Sequence, residues 1–150
     1  MQAEAQEYHR DGFTVSTDPA HLDLALIHDY LANHSYWAPG IPLSYVEEAA
    51  RHSLNFGLYR EGEQIGYARV LTDYVRFAYL MDVFVLEEHR GQGLGKWLMA
   101  CVFEHPGLLL VRRWMLATWD AHGLYAQFGF TPMERPDRFM EKVQTGAYQR

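Results

Sequence analysis

Tyr79-Leu80-Met81-Asp82-Val83-Phe84-Val85-Leu86 is almost continuously apolar, and Glu88-His89-Arg90-Gly91-Gln92-Gly93-Leu94-Gly95-Lys96-Trp97 follows it. The first run suits a central strand covered on both faces, broken only by Asp82. The second leaves that strand and opens a helix, Gly93 to Phe103, which stops near Pro106. Glycines in such a turn let backbone N–H groups surround an anion. The helix start adds unsatisfied donors and the positive end of a dipole. Arg90 and Lys96 bring positive charge. Two common phosphate motifs do not fit. The dinucleotide pattern Gly-x-Gly-x-x-Gly, begun at Gly91, meets Lys96 where its last Gly belongs. The triphosphate loop needs Ser or Thr after Gly-Lys, and Gly95-Lys96 is followed by Trp97.

Working outward, the chain reads as alternating short elements. Phe13–Thr17 alternates like a strand. Asp18-Pro19 is a helix start, with an apolar stripe over Leu22, Leu24, Ala25, Ile27, His28 and Leu31. Asn33 to Pro42 is a loop, and Ser44 with Glu47 reads as a capping box for a second helix. Leu54–Arg60 and Ile65–Thr72 form a hairpin around Gly62-Glu63. Arg113–Thr118 is a further strand. Asp120 begins a helix through Tyr125 and Phe128, closed by Gly129, and Phe139–Val143 is a final strand. This order predicts a single-domain α/β fold over residues 1–150. Its mixed, mostly antiparallel sheet carries helices on both faces.

The 150 residues hold 13 Lys and Arg against 19 Asp and Glu, a formal net charge of −6, which leaves no basic stripe for nucleic acid. No apolar run reaches a membrane span. The polar start, Met1 to Arg10, does not read as a secretory signal, so a cytoplasmic location is expected. One cysteine, Cys101, excludes an intrachain disulfide and a four-thiolate metal site. The His residues show no ligand spacing, and no metal is expected.

Arg90-x-x-Gly93-x-Gly95 after an apolar strand resembles the acetyl-coenzyme A signature of the GCN5-related N-acetyltransferase (GNAT) family. Leu124-Tyr125-Ala126-Gln127-Phe128-Gly129-Phe130 resembles that family's Tyr-bearing helix and following strand, in the right order. The resemblance implies acetyl transfer from acetyl-CoA, the co-substrate, to a primary amine by direct attack. Gly91, Gln92, Gly93, Leu94, Gly95 and Lys96 would contact the pyrophosphate and Arg90 would cover it. Val83, Phe84 and Val85 would offer backbone to the pantetheine arm, although their side chains also read simply as core. Tyr125 would be the general acid that protonates the departing thiolate.

Asp82 must be paired or solvated within its apolar strand. It reads either as a base for the amine or as an anchor for a neighbouring cation. His122, three residues before Tyr125, reads as a proton relay, a substrate contact or an ordinary polar side chain. Tyr36 and Trp37 lie in the loop that borders the acceptor pocket in this family, with Met81 beside the thioester. Cys101 lies on an apolar stripe with Leu98 and Val102 and reads as buried and inert. The acceptor is a small amine or a peptide or protein amine, and a homodimer accords with the family. Two other readings stand beside this one. They are a CoA-binding module without catalysis, and an enzyme that uses another acyl donor.

Overall fold

Alternating apolar residues and two tight turns build an antiparallel sheet. Asp11-Gly12 and Glu61-Gly62 both take positive φ at each residue (49° and 85°; 50° and 81°). That geometry matches the twist of the strands it joins. In this computed structural model, which describes residues 4–149, the first hairpin links β1 (Glu7–Arg10) to β2 (Phe13–Ser16). The second links β3 (Leu54–Arg60) to β4 (Glu63–Thr72), and β5 is Phe77–Val85. Between β2 and β3 lie α1 (Leu24–His34) and α2 (Leu43–Arg51). A helix, α3 (Leu94–Glu104), crosses over to β6 (Arg113–Met115), the only parallel strand of the sheet among the described residues. The strand order is β1-β2-β3-β4-β5-β6. Contacts divide the chain into one unit ending at Ala117 and a second from Thr118. The second holds a short helix, α4 (His122–Ala126).

Cross-strand partners share a face, so the register assigns the two sides of the sheet. Asn55 pairs with Arg69, Gly57 with Tyr67, and Tyr67 with Phe84. On this face Tyr67 and Phe84 pack with Ile27, Leu31, Ala38 and Val46 from α1, α2 and their loop. Phe56 pairs with Ala68 and Val70 with Leu80 on the other face. There α3 buries Leu94, Leu98, Met99, Cys101 and Val102, and the ring of His105, just after it, stands edge-on to Phe56 at 5.7 Å. Helices therefore cover both faces, as the apolar β5 sequence predicts.

A bulge interrupts the β4–β5 ladder. Arg69 pairs with Met81 and Tyr67 with Phe84, so Asp82 and Val83 together oppose Ala68. Asp82 takes φ +56° to make the extra step. The bulge also reverses the buried side of the strand. Leu80 faces the α3 side and Phe84 the α1–α2 side, though both are buried. Pairing between β5 and β6 stops at Tyr79–Met115. From Leu80 to Val85, β5 has no β6 partner.

Several local expectations are corrected. β1 is an addition to the sequence reading, which does not single it out because its residues are polar, and in the structure most of them are exposed. Asp18-Pro19 starts only a 3-10 turn, and Asp23 caps α1 by accepting from the Leu26 amide at 3.0 Å. The Ser44–Glu47 capping box does not form. Pro42 occupies the cap position, which places Ser44 inside the first turn. The Arg113 strand ends at Met115, short of Thr118. Asp120 does not cap α4, which has no side-chain cap and ends at Ala126. Phe139–Val143 is no strand either. A 3-10 turn over Pro136–Arg138 precedes it, the second unit offers it no strand to pair with, and Met140 is 98 % exposed.

Candidate active site

The glycine turn is built by two left-handed residues, Gly91 (φ 85°) and Gly93 (φ 77°). A side chain at either position would strain the backbone. Gly93 caps α3 without any side-chain hydrogen bond, and the Trp97 amide is the one that reaches back to the Gly93 carbonyl, at 3.0 Å. The amides of Leu94, Gly95 and Lys96 therefore emerge from the helix end with no intrahelical acceptor. A Cβ at Gly91, Gly93 or Gly95 would meet nothing within 4 Å, so the space above the turn is open. Gln92 and Lys96 are exposed around it. Arg90 ties the turn to its surroundings. Its Nε donates to the Val85 carbonyl at 2.8 Å and its Nη2 to the Tyr30 hydroxyl at 2.9 Å. Tyr30 stacks on Phe84 with ring centroids 4.0 Å apart. A cleft of about 450 Å³ lies here, lined among others by Tyr30, His34, Arg90 and the carboxylates of Asp29, Glu87 and Glu88.

Asp82 is 8 % exposed and both its oxygens are engaged. Oδ2 accepts from Arg69 Nε at 2.8 Å and Oδ1 from Trp37 Nε1 at 2.9 Å. Arg69 is 9 % exposed, and its Nη1 donates to Ser53 Oγ at 2.9 Å. Ser53 in turn donates to the Ala49 carbonyl at 2.7 Å. One ion pair thus joins β4, β5, the α1–α2 loop and the end of α2. Tyr36 stands edge-on to Trp37 at 4.9 Å, and both rings are 37 % exposed. Met81 and Val83 are half-buried on either side of Asp82.

In the second unit, Tyr125 is buried in α4 with its ring edge-on to Phe130 at 6.0 Å. Gly129 (φ 92°) turns the chain so that the Phe130 amide returns to the Tyr125 carbonyl at 3.2 Å. The expected glycine stop is therefore present. His122 is the exposed first residue of α4.

A family model described as an acetyltransferase (GNAT) domain matches residues 51–132, a stretch that contains both the glycine turn and the Tyr125 motif. The chain belongs to the GNAT acetyltransferase family. A candidate acetyltransferase of Gibberella zeae is 36% identical over 142 residues, covering 81% of this chain and 80% of that protein. The crystal structure of a candidate GNAT acetyltransferase from Xanthomonas campestris pv. campestris superposes with a TM-score of 0.89 at 50% identity, covering 95% of this chain and all of that one (100%). A Mycobacterium tuberculosis protein solved in complex with CoA shares the fold, with a TM-score of 0.63 at 19% identity, covering 80% of this chain and 72% of that one.

This acetyltransferase holds two site residues that its sequence does not advertise. Arg69 sits in an ordinary apolar strand, and only the buried acid opposite it calls for a cation. Tyr30 lies in α1 outside the apolar stripe read from the sequence, and only the structure shows its hydroxyl meeting Arg90. Cys101 conforms to expectation. It is 1 % exposed and burial pushes its thiol up to about 12, which leaves almost no thiolate near neutral pH.

Proposed function

We propose that this GNAT acetyltransferase moves an acetyl group from acetyl-CoA to a primary amine by direct attack, without an acyl-enzyme. The observation that carries this is the open amide cradle of Gly91–Lys96 beside the unpaired edge of β5. The cradle offers several N–H groups and a helix dipole to a pyrophosphate, as coenzyme A requires. Phe84 pairs with Tyr67 of β4, so the edge-facing backbone of its neighbours Val83 and Val85 suits an extended amide-bearing arm, which can add to a sheet edge like a strand. The Val85 carbonyl already accepts from Arg90, so Val83 is the more available partner. Acetyl-CoA supplies an activated thioester, and every other element is the chain's own.

Gly93 and Gly95 allow close approach of the phosphates, Gln92 and Leu94 shape the turn, and Lys96 adds charge. Arg90 fixes the turn to the end of β5. Backbone N–H groups near the bulge steady the negative charge that develops on the thioester oxygen. Tyr125 donates its phenolic proton to the leaving sulfur, and His122 relays protons from solvent. Tyr36, Trp37 and Met81 border the amine. Asp82 acts as an anchor rather than as a base, because both of its oxygens already accept hydrogen bonds.

The test is release of coenzyme A thiol from acetyl-CoA against a panel of small amines, amino-terminal peptides and lysine peptides. Saturable, amine-dependent release is expected. Tight CoA binding with no release from any amine would make the chain a binding module instead, and release only with longer acyl groups would change the donor.

A further inference from the structure

Asp82 is a non-glycine residue held at φ +56° in the middle of a buried strand. Such a conformation costs on the order of 1–3 kcal/mol and persists only where the surroundings impose it. What imposes it here is visible. Arg69 lies opposite Met81, across the ladder from the bulge, and its Nε holds Asp82 Oδ2. Its Nη1 is braced by Ser53. The second carboxylate oxygen holds Trp37, so the loop carrying Tyr36 and Trp37 is fixed by the same acid. The bulge decides which backbone groups of β5 face the unpaired edge between Leu80 and Val85, because one extra residue exchanges the two sides of a strand.

We infer that Arg69 is a positioning residue for the acyl donor. Through Asp82 it holds the β5 bulge, and with it the backbone that receives the pantetheine arm, while Trp37 locks the acceptor loop to that geometry. The inference rests on the reading of β5 as the donor strand. The side-chain hydrogen bonds of Arg69 go to Asp82 and Ser53 and not to the phosphate cradle, and its effect should therefore be confined to one part of the donor. Coenzyme A carries both a nucleotide and a pantetheine arm, whereas 3′-phosphoadenosine 5′-diphosphate carries the nucleotide alone. Loss of Arg69 should weaken binding of the first and spare the second.

The experiment compares calorimetric binding of coenzyme A and of that nucleotide fragment to the whole chain, as wild type, Arg69→Met and Arg69→Lys. Arg69→Met should bind coenzyme A at least about tenfold more weakly, the scale set by a small misplacement of a binding element. The fragment should bind within about twofold of wild type, and Arg69→Lys, which keeps a cation beside Asp82, should fall between the other two for coenzyme A. If the unpaired acid prevents Arg69→Met from folding, Arg69→Met with Asp82→Gly removes that acid and tolerates the positive φ. The same tenfold split is then expected of the double variant. Equal losses for both ligands, no loss for either, or a lysine variant no better than methionine would overturn the inference while leaving the donor reading intact. A wild type that binds neither ligand would remove the donor reading, and the inference with it.

Discussion

The glycine turn and the Asp82 network stand side by side in the first unit, yet they are built from different materials. The turn presents backbone amides, and its side chains mostly stay out of the way. The network is made of side chains from positions 37, 53, 69 and 82, drawn together by folding. A backbone site depends on dihedral angles, which a short sequence motif can specify. A side-chain network depends on distant partners and on a bulge that no local pattern announces. The first should therefore fail through backbone strain and the second through unpaired charge.

The proposed mechanism gives Tyr125 the proton for the departing thiolate, so on that reading its removal is the largest expected effect. Tyr125→Phe keeps the buried ring and its contact with Phe130 but deletes the proton donor. We expect kcat to fall by about 10²-fold or more, with KM for acetyl-CoA little changed. An unchanged kcat in steady-state thiol release would reassign Tyr125 to packing.

The next effect sharpens the network side. Asp82→Ala leaves Arg69 buried without its acid, and breaking one partner of a buried pair costs about 3–5 kcal/mol. Chemical denaturation should show that loss. Asp82→Asn keeps an acceptor for Arg69 and should cost less. If Asp82 is an anchor, as proposed, the pH–rate profile of Asp82→Asn should retain the acidic limb. Disappearance of that limb in Asp82→Asn would restore Asp82 as the base.

Smaller effects come from two buried groups away from both regions. His105 is fully buried, its Nδ1 accepts from the Gly107 amide at 2.9 Å, and burial holds its pKa below the ordinary 6.5. The unfolded chain takes up a proton as pH falls through 6.5, and the folded chain resists it. Stability therefore decreases as pH falls below that value. Thermal unfolding of His105→Gln should show a shallower decline between about pH 7 and pH 5. An identical slope would mean that His105 does not contribute. Cys101, with its thiol pushed up to about 12, should be alkylated by iodoacetamide only after denaturation. Rapid modification of the native protein would show that α3 opens.

The contrast also explains what could be read in advance. The turn, the helix it opens and the glycine stop at Gly129 are local, with positive φ demanded at particular glycines, and they appear where the sequence places them, although the Tyr125 helix itself is shorter than expected and ends at Ala126. The bulge is not local. Asp82 stands out as an acid in an apolar strand, but Arg69 and Trp37 become its partners only through sheet register and loop closure. β1 escapes notice because its side chains are polar, although Asp11-Gly12 is a usable hairpin signal. The Phe139 segment misleads in the opposite direction. Its apolar residues look like a strand, but a strand needs a partner for its backbone, and among the described residues of the second unit α4 is the only element other than 3-10 turns.

The central claim is that a cradle of backbone amides at Gly91–Lys96 holds the donor. Gly93→Val tests it most directly, because a Cβ there meets no neighbour and the only penalty is a β-branched residue at φ 77°. Titration of wild type and variant with coenzyme A should show one site in the wild type. In a variant that stays folded, binding should be at least about tenfold weaker, as strain swings the amides out of line. Equal affinity in the two proteins would contradict the account.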